Sequence, residues 1–392
     1  MARSSRFRVR TRTTRRQWRA RLSTRGGLGT VVTFAGSEGA VHATLNGFTV
    51  TGGAIGIHGN GTDATIQNSV VRDNSWIGIQ EVNGPIRDCK IKDNIGAGVS
   101  GSDGTISGCL ISNNADGLYL CDGVISGCQV LNNREHGLES CDGFIQGCVV
   151  SNSGRYGLYR CNATISRTIV SGNSWGGVVS CDGSRIDNSI VAGNKSSAFG
   201  SSSLDVLNCT ITGNRGFGFA SHTGEIKQCI IWDNDDGALS NSTTPTLSGT
   251  VNPYFVQPGH WNNIDDVWIE GDYHVAGDSP YIDAGSPLYG GDPGDPTEDL
   301  DGNPRVVGVR VDIGAYEFQA PCEGEDFDGD GLADICDSDI DNDGVGNTLD
   351  PCDFTPFGVP VDSTGRPHAD LNLDCVVDLR DFATFMISMT GP

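Results

Sequence analysis

At 392 residues the chain is long enough for one large domain and several small modules, and its 56 glycines are about twice the usual share of roughly 7%. The formal charge of −23 is unevenly placed: residues 1–27 hold ten Arg and no acid, whereas residues 322–381 hold 17 acids against two Arg. No run approaches the roughly 18 apolar residues of a membrane span, which excludes a helical membrane protein, and the acidic end reads as a binder of cations.

In chain order, residues 1–27 come first. An Arg-rich start can be a nucleic-acid-binding arm, but a disordered tail or a misassigned reading-frame start is the plainer reading, and no nucleic-acid partner is expected. Thr14-Arg15-Arg16 hints at a twin-arginine leader, yet no apolar segment follows it. The next segment begins in mid-stride at VVTFAGSEG, so the expectation is a truncated or frame-shifted 5′ end that has lost an export leader.

Residues 28–245 repeat. A marker Ile or Val recurs at Ile66, Ile86, Ile106, Ile125, Ile145, Ile165, Ile186, Val206 and Ile226, in steps of 19 to 21, with Leu45 opening one unit upstream. That period is too short for paired-helix repeats, and the units are rich in Gly, Asn and β-branched residues, so each reads as short strands broken by turns and stacked as a β-solenoid. Stacking turns the repeat into ladders about 4.8 Å apart. One ladder is Phe48, Ser69, Cys89, Cys109, Cys128, Cys148, Thr168, Ser189, Cys209 and Cys229, expected inside. A second is Asn74, Asn94, Asn114, Asn133, Asn173, Asn194, Asn214 and Asn234, with Ser153 as its one break. A third is Ser102, Cys121, Cys141, Cys161 and Cys181, followed by Asp103, Asp122, Asp142, Asn162 and Asp182. The Asp-Gly pairs of the last row read as turns rather than cation ligands. Cysteines one coil apart on parallel strands sit wider than the roughly 3.8 Å between Cβ atoms that a disulfide prefers, so buried free thiols are expected there.

The pattern Ile-x-x-Cys-x-Ile-x-x-Asn-x-x-x-Gly-(Leu/Val) resembles the right-handed parallel β-helix repeat of the pectate-lyase-like superfamily. It implies an all-β fold: a right-handed parallel β-helix with a C-terminal cap and small calcium-loop modules. The segments VNPYFV, DSPYIDAGSP (278–287) and DLDGNPRVVGVRVDIGAYEF (299–318) resemble the choice-of-anchor Q-type cap of secreted planctomycete β-helix proteins. The cap is set at 246–320, and Asp283, Asp299, Asp301, Asp312 and Glu317 are read as structural, closing an open sheet edge.

Three acidic loops follow. Asp326, Asp328, Asp330, Asp334 and Asp337 occupy positions 1, 3, 5, 9 and 12 of a loop that turns at Gly331. Asp339, Asp341, Asp343, Asn347 and Asp350 repeat the spacing around Gly344. Asp370, Asn372, Asp374, Asp378 and Asp381 do so a third time, with Cys375 where the turn glycine stood. Oxygens at that spacing converge as the loop curls, which suits the hard cation Ca²⁺. The first two loops, 321–354, resemble thrombospondin type 3 repeats; residues 369–392, after a linker at 355–368, resemble half of a type I dockerin. Cohesin docking takes two such halves, which speaks against a cohesin partner. Cys322, Cys336, Cys352 and Cys375, in modules with little core, are expected to form disulfides, and these with the calcium loops point to an extracellular or cell-surface setting.

For chemistry on the coils, the residue after the apolar one in each Gly-(Leu/Val) strand is expected to face outward, giving Gln80, Ser100, Tyr119, Glu139, Tyr159, Val179, Gly200, Ala220 and Leu239. Only its centre has character. Tyr119, Glu139 and Tyr159 are candidate carbohydrate contacts, and Glu139, Asp116, His136 and Arg160 are the candidates for catalysis. The leading expectation is a secreted or surface protein that binds or presents to polysaccharide. A polysaccharide lyase or glycoside hydrolase working along the same face is one alternative, and a purely structural surface protein or adhesin the other.

Overall fold

The computed structural model describes residues 29–34, 43–183, 185–262, 264–289, 295–319, 325, 327–328, 339–347, 349–356 and 359–390. The Arg-rich segment, Cys322, Cys336, and Asp326, Asp330, Asp334 and Asp337 of the first acidic loop lie outside them. The described residues form two compact units, one running through Arg305 with Asp312–Glu317, the other comprising Val306–Val311 and the chain from Phe318 onward.

The first unit is a right-handed parallel β-solenoid of about ten coils. Among the described residues, an 11-stranded first sheet runs from Val32–Thr33 to Leu239–Ser240. A 10-stranded second sheet runs from Thr44–Asn46 to Ile226–Lys227, and a 10-stranded third from Thr49–Thr51 to Ile230–Trp232. Each strand pairs in parallel with its counterpart one coil on, so Ile86, Ile106, Ile125 and Ile145 are register partners. The strands are two to six residues long, and alternation puts one apolar side chain per strand inward. Ile66, Ile86, Ile106, Ile145, Ile165 and Ile226 are completely buried.

The ladders hold the turns. Asn74 donates from Nδ2 to Asn94 Oδ1 at 2.9 Å, Asn94 to Asn114 at 2.9 Å, and the row resumes as Asn173 to Asn194 at 2.9 Å and Asn214 to Asn234 at 2.8 Å. The same oxygens accept backbone amides, as Asn94 Oδ1 does from Asn74 N at 3.2 Å. Buried amide groups are thereby satisfied without leaving the interior. The ten ladder cysteines are buried and free. Their thiols donate to backbone carbonyls, Cys109 Sγ to Ser107 O at 3.3 Å and Cys128 Sγ to Ser126 O at 3.4 Å. The Asp-Gly row caps amides of the next coil: Asp122 Oδ1 accepts from Asp142 N at 3.0 Å and Asp142 Oδ1 from Asn162 N at 2.8 Å.

Two assignments need correction. Phe48 is 37% exposed: its ring is larger than the Ser, Thr and Cys side chains that fill the rest of this ladder. Leu239 pairs with Phe219, in the inward row, and the outward row ends at Ser240, partner of Ala220.

After the last coil the chain continues the sheets by bridges at Thr246 and Gly249, then folds back over the third sheet. Trp268 lies so close to Gly193 and Gly213 that a Cβ at either would come within 2.1 Å of its ring. Beyond it Asp299, Arg305, Asp312 and Glu317 are buried together. Their carboxylates accept backbone amides: Asp299 from Asn303 and Glu317, Asp312 from Asp283, and Glu317 from Asp312. Arg305 donates to the carbonyls of Asp312 and Gly314.

In the second unit the described residues contain two acidic loops, a Cys352–Cys375 disulfide and the helix Leu379–Thr390. Among the described residues no helix is long and apolar enough to cross a membrane.

Candidate functional site

The first sheet carries the candidate site. Its outward row, from one register pair to the next, is His58, Gln80, Ser100, Tyr119, Glu139, Tyr159, Val179, Gly200, Ala220 and Ser240. Small or uncharged residues fill most of it; Tyr119, Glu139 and Tyr159 sit on three consecutive strands at its centre.

A second row, at the turn just before each strand, adds to this centre. Backbone bonds from Gly98 to Asp116, from Gly117 to His136 and from Gly137 to Tyr156 place Asp116, His136 and Tyr156 on successive coils. The structure thus brings together Asp116, His136 and Glu139: one oxygen of each carboxyl and a ring nitrogen of His136 lie within 4.8 Å of one another. His136 stacks on Tyr159 at 4.7 Å between centroids and on Tyr156 at 5.5 Å. Trp175 meets Tyr156 edge-on at 5.2 Å. Arg155 pairs with Glu135 at 2.7 Å and lies 5.2 Å from the Trp175 ring, while Arg160 lies 4.9 Å from the Tyr159 ring. Tyr156, Arg155 and Trp175 were not anticipated from the sequence, because they belong to turns, and the alternation rule that identified Tyr119, Glu139 and Tyr159 describes strands only.

The electrostatics follow from partial burial. His136 is 4% exposed, and burial first, then the charges of Arg155 and Arg160, pulls its pKa down to about 4. It is therefore neutral at pH 7. Its Nδ1 accepts from Tyr156 N at 3.4 Å, so the proton resides on Nε2 and the ring is a hydrogen-bond donor. That tautomer disfavours a metal here, since Nδ1 is engaged and Nε2 is protonated. Burial also raises Glu139, with the nearby Asp116 charge adding to it and Arg160 opposing it. Asp116 is raised by burial, with Glu135 adding, although it accepts from His136 N at 3.1 Å. Two carboxyls this close, each raised by burial, titrate as a pair in which the charge of one opposes ionisation of the other. The arrangement offers an acid, a base, a fixed N–H donor and flat aromatic surfaces in one place.

The two described acidic loops differ. In 339–350, Asp339, Asp341 and Asp343 present oxygens within 4.8 Å of one another. The Oδ2 atoms of Asp343 and Asp350 are buried without a hydrogen-bond partner. Burial, reinforced by neighbouring carboxylates, raises Asp341, Asp343 and Asp350. Orphaned buried oxygens in a mutually repelling set fit a hard cation. In 370–381, Asp370, Asp374 and Asp381 also present oxygens within 4.8 Å of one another, but these acids have partners: Asp370 accepts from Asp374 N and Cys375 N and pairs with Arg366 at 3.0 Å. Asp381 accepts from Leu371 N, Asn372 N and Asp378 N. Asn372 Nδ2 donates to Asp374, and Asp378 accepts from Arg380 N.

Two family models match the chain. That of the right handed beta helix region matches residues 31–159 and 138–252. That of the thrombospondin type 3 repeat, a calcium-binding type, matches residues 325–357. No curated protein matches the chain in sequence. Among solved structures it is similar to pectate lyase Pel9A, at 16% identity over 74% of this chain and 72% of that one, with a TM-score of 0.35. It is similar to the A-module of the Azotobacter vinelandii mannuronan C-5 epimerase AlgE4, at 13% identity over 58% and 89%, with a TM-score of 0.27. It is also similar to QnrB1, a plasmid-mediated fluoroquinolone resistance protein, at 12% identity over 54% and 92%, with a TM-score of 0.25. Likenesses at these scores carry no functional argument.

Proposed function

The chain belongs to the right-handed β-helix region family, and on that premise we propose that it is an extracellular, calcium-binding protein that binds polysaccharide along its first sheet. The layout this reading assumes is a β-helix over 28–245, a cap over 246–320, calcium repeats over 321–354, a linker over 355–368 and a dockerin-like half over 369–392. One observation carries the glycan reading. Rings and charged groups crowd onto four consecutive coils, from Asp116 and Tyr119 through His136, Glu139, Tyr156 and Tyr159 to Trp175, on a face whose outward row falls to Val179, Gly200, Ala220 and Ser240 beyond them. Sugars are amphipathic: their C–H faces suit aromatic platforms, and their hydroxyls suit carboxylates and the Nε2–H of His136. The disulfide and the thrombospondin-type repeat support an oxidising, calcium-rich setting. Asp339, Asp341, Asp343 and Asp350 would hold Ca²⁺, which there supplies charge neutralisation and rigidity.

A second reading, hydrolysis or elimination at the same place, is favoured by the proximity of Asp116 and Glu139. One oxygen of each lies within 4.8 Å, near the roughly 5–5.5 Å between carboxyls of double-displacement glycosidases and well short of the roughly 6.5–9.5 Å of inverting ones. A polysaccharide array read for retention and for depolymerisation separates the readings. On the binding reading, Tyr159→Ala lowers retention at least tenfold and no polymer is shortened. On the catalytic reading, a polymer is shortened by the wild type, and Glu139→Gln retains it while losing turnover. If the wild type neither retains nor shortens any polymer, both readings fall and a structural role remains.

A further inference from the structure

The candidate site occupies the middle of a longer track. Immediately ahead of the row Asp116–His136–Tyr156 runs another turn row, whose members are joined by consecutive backbone bonds. Gly96 N donates to Trp76 O at 2.6 Å, Ala115 N to Gly96 O at 2.8 Å, and Glu135 N to Ala115 O at 2.8 Å. Arg155 N then donates to Glu135 O at 2.8 Å and Trp175 N to Arg155 O at 2.9 Å. The row therefore reads Trp76, Gly96, Ala115, Glu135, Arg155, Trp175. The row runs on past Trp76, whose N donates to Ala54 O at 2.9 Å, and it carries two indoles, both open to solvent: Trp76 is 55% exposed and Trp175 is 47% exposed. Five coil steps separate them, roughly 24 Å along the axis.

Trp76 is not simply an exposed apolar side chain of the kind every surface carries. Its ring leans along the axis toward the candidate site, over Gly96, where a Cβ would come within 2.8 Å of its Cδ1. A side chain at residue 96 would press on the indole and equally on the Trp76 carbonyl, whose O and C would lie 2.9 and 3.0 Å from its Cβ. Between this ring and Asp116 the surface is low, formed by Gly96, Ala97 and Ser100, of which Ala97 is 8% and Ser100 9% exposed. At the edge of this low stretch stand Ile95, 64% exposed, and Arg134, whose guanidinium donates to the carbonyls of Asn94 and Ile95. The far end is furnished differently, with Arg155 against Trp175 and Arg160 against Tyr159.

We infer that Trp76 is a distal subsite for a linear polysaccharide lying along the solenoid axis, with the Trp76 and Trp175 indoles as its two end platforms. The inference rests on the glycan reading of the central cluster. It makes binding depend on chain length: an oligomer too short to span from the central tyrosines to Trp76 gains nothing from that ring.

The test uses the full chain and two oligomer ladders, oligogalacturonides as acidic probes and cello-oligosaccharides as neutral ones, each from dimer to octamer. Affinities are measured by calorimetry for the wild type, Trp76→Ala and Tyr159→Ala. In at least one ladder the wild type is expected to gain tenfold or more in affinity beyond a threshold length. Trp76→Ala abolishes that gain and leaves the short oligomers unchanged, whereas Tyr159→Ala weakens every length. Gly96→Leu, with Trp76 intact, reproduces the loss by pressing on the ring, and circular dichroism of both variants controls for folding. If the wild type binds but shows no threshold, or Trp76→Ala follows the wild-type curve, the subsite is wrong while the glycan reading stands. If neither ladder binds the wild type, the glycan reading fails and takes the subsite with it.

Discussion

His222 stands where the ladder of Cys121, Cys141, Cys161, Cys181 and Ser202 would place another small group. It is completely buried against Phe199 and Phe219, and its ring nitrogens make no hydrogen bond of good geometry, the Leu204 backbone being the one hydrogen-bonding group that bears on them. Burial lowers its pKa to about 4, as it does that of His136. In the unfolded chain both imidazoles titrate near 6.5, so below that value the unfolded state binds more protons than the folded one. Their contribution is fully present above about pH 6.5 and is lost as the pH falls toward 4. Asp116 and Glu139, raised by burial, act in the opposite sense, since the folded chain is then the one that holds their protons as the pH falls. Replacing His222 with Leu removes two poorly satisfied buried nitrogens and should stabilise the β-helix by about 1–3 kcal/mol. Thermal melts at pH 7 and pH 4 check both statements: the variant melts higher throughout, and its loss on acidification is smaller than that of the wild type.

The asparagine ladder is an element whose one break is informative. At the fifth coil Ser153 N still donates to Asn173 Oδ1 at 2.9 Å, but Ser153 Oγ is buried without a partner. Its neighbours show that the site accepts the longer side chain: Asn133 Nδ2 comes 3.0 Å from where a Cβ on Gly117 would lie, as Ser153 Oγ does at 3.2 Å for Gly137. Ser153→Asn should therefore join the two halves of the ladder and raise stability by about 1 kcal/mol, the net worth of a buried hydrogen bond, read from denaturant midpoints at constant slope.

The acidic loops are a second element-scale case. Cys375 occupies the turn position with φ of 66°, where glycine is the ordinary residue, and its sulfur is bonded to Cys352. Cys352 N in turn donates to Asp350 Oδ1 at 2.6 Å, and Gly365 approaches so closely that a Cβ would lie 2.1 Å from the Asp350 carboxyl carbon. Asp350 is thus held by its surroundings with Oδ2 left over. Asp350→Asn should lower Ca²⁺ affinity at least tenfold in calorimetry of the full chain, whereas Asp378→Asn should change it little. Because the raised carboxyls of this loop must lose protons to bind, affinity should also weaken on acidification, and at a higher pH than it would for ordinary Asp carboxyls.

At the scale of the molecule, the coil was legible because a solenoid repeats its reasons. A buried Ile, a small thiol and a laddered Asn return every 19 to 21 residues, and each return is independent support for the same register. The ends were not legible on those terms. Phe48 holds a ladder position with a ring too large for it, and Leu239 was shifted by one because Ala238, directly after Gly237, takes the apolar place that the Gly-(Leu/Val) rule expects. Half of the candidate site was visible as departures from the strand pattern at Tyr119, Glu139 and Tyr159. The other half, Tyr156, Arg155, Trp175 and Trp76, sits in turns, where side-chain direction is set by the neighbouring coils and no period-two rule applies. The contrast between the two described acidic loops was hidden for a related reason. Spacing places oxygens at equal intervals in both, but Arg366, which neutralises one, lies outside the loop it serves.

The hydrogen bonds between coils all run along the solenoid axis, and each coil holds its neighbour through the same few strand pairs. Tension applied along that axis therefore loads one inter-coil seam at a time instead of the whole core together. A released coil of about twenty residues can extend to about 70 Å where it had occupied about 4.8 Å, roughly a fourteenfold lengthening. The same construction would let the body that carries the aromatic face lengthen coil by coil from one end while the remaining coils keep their outward row in register.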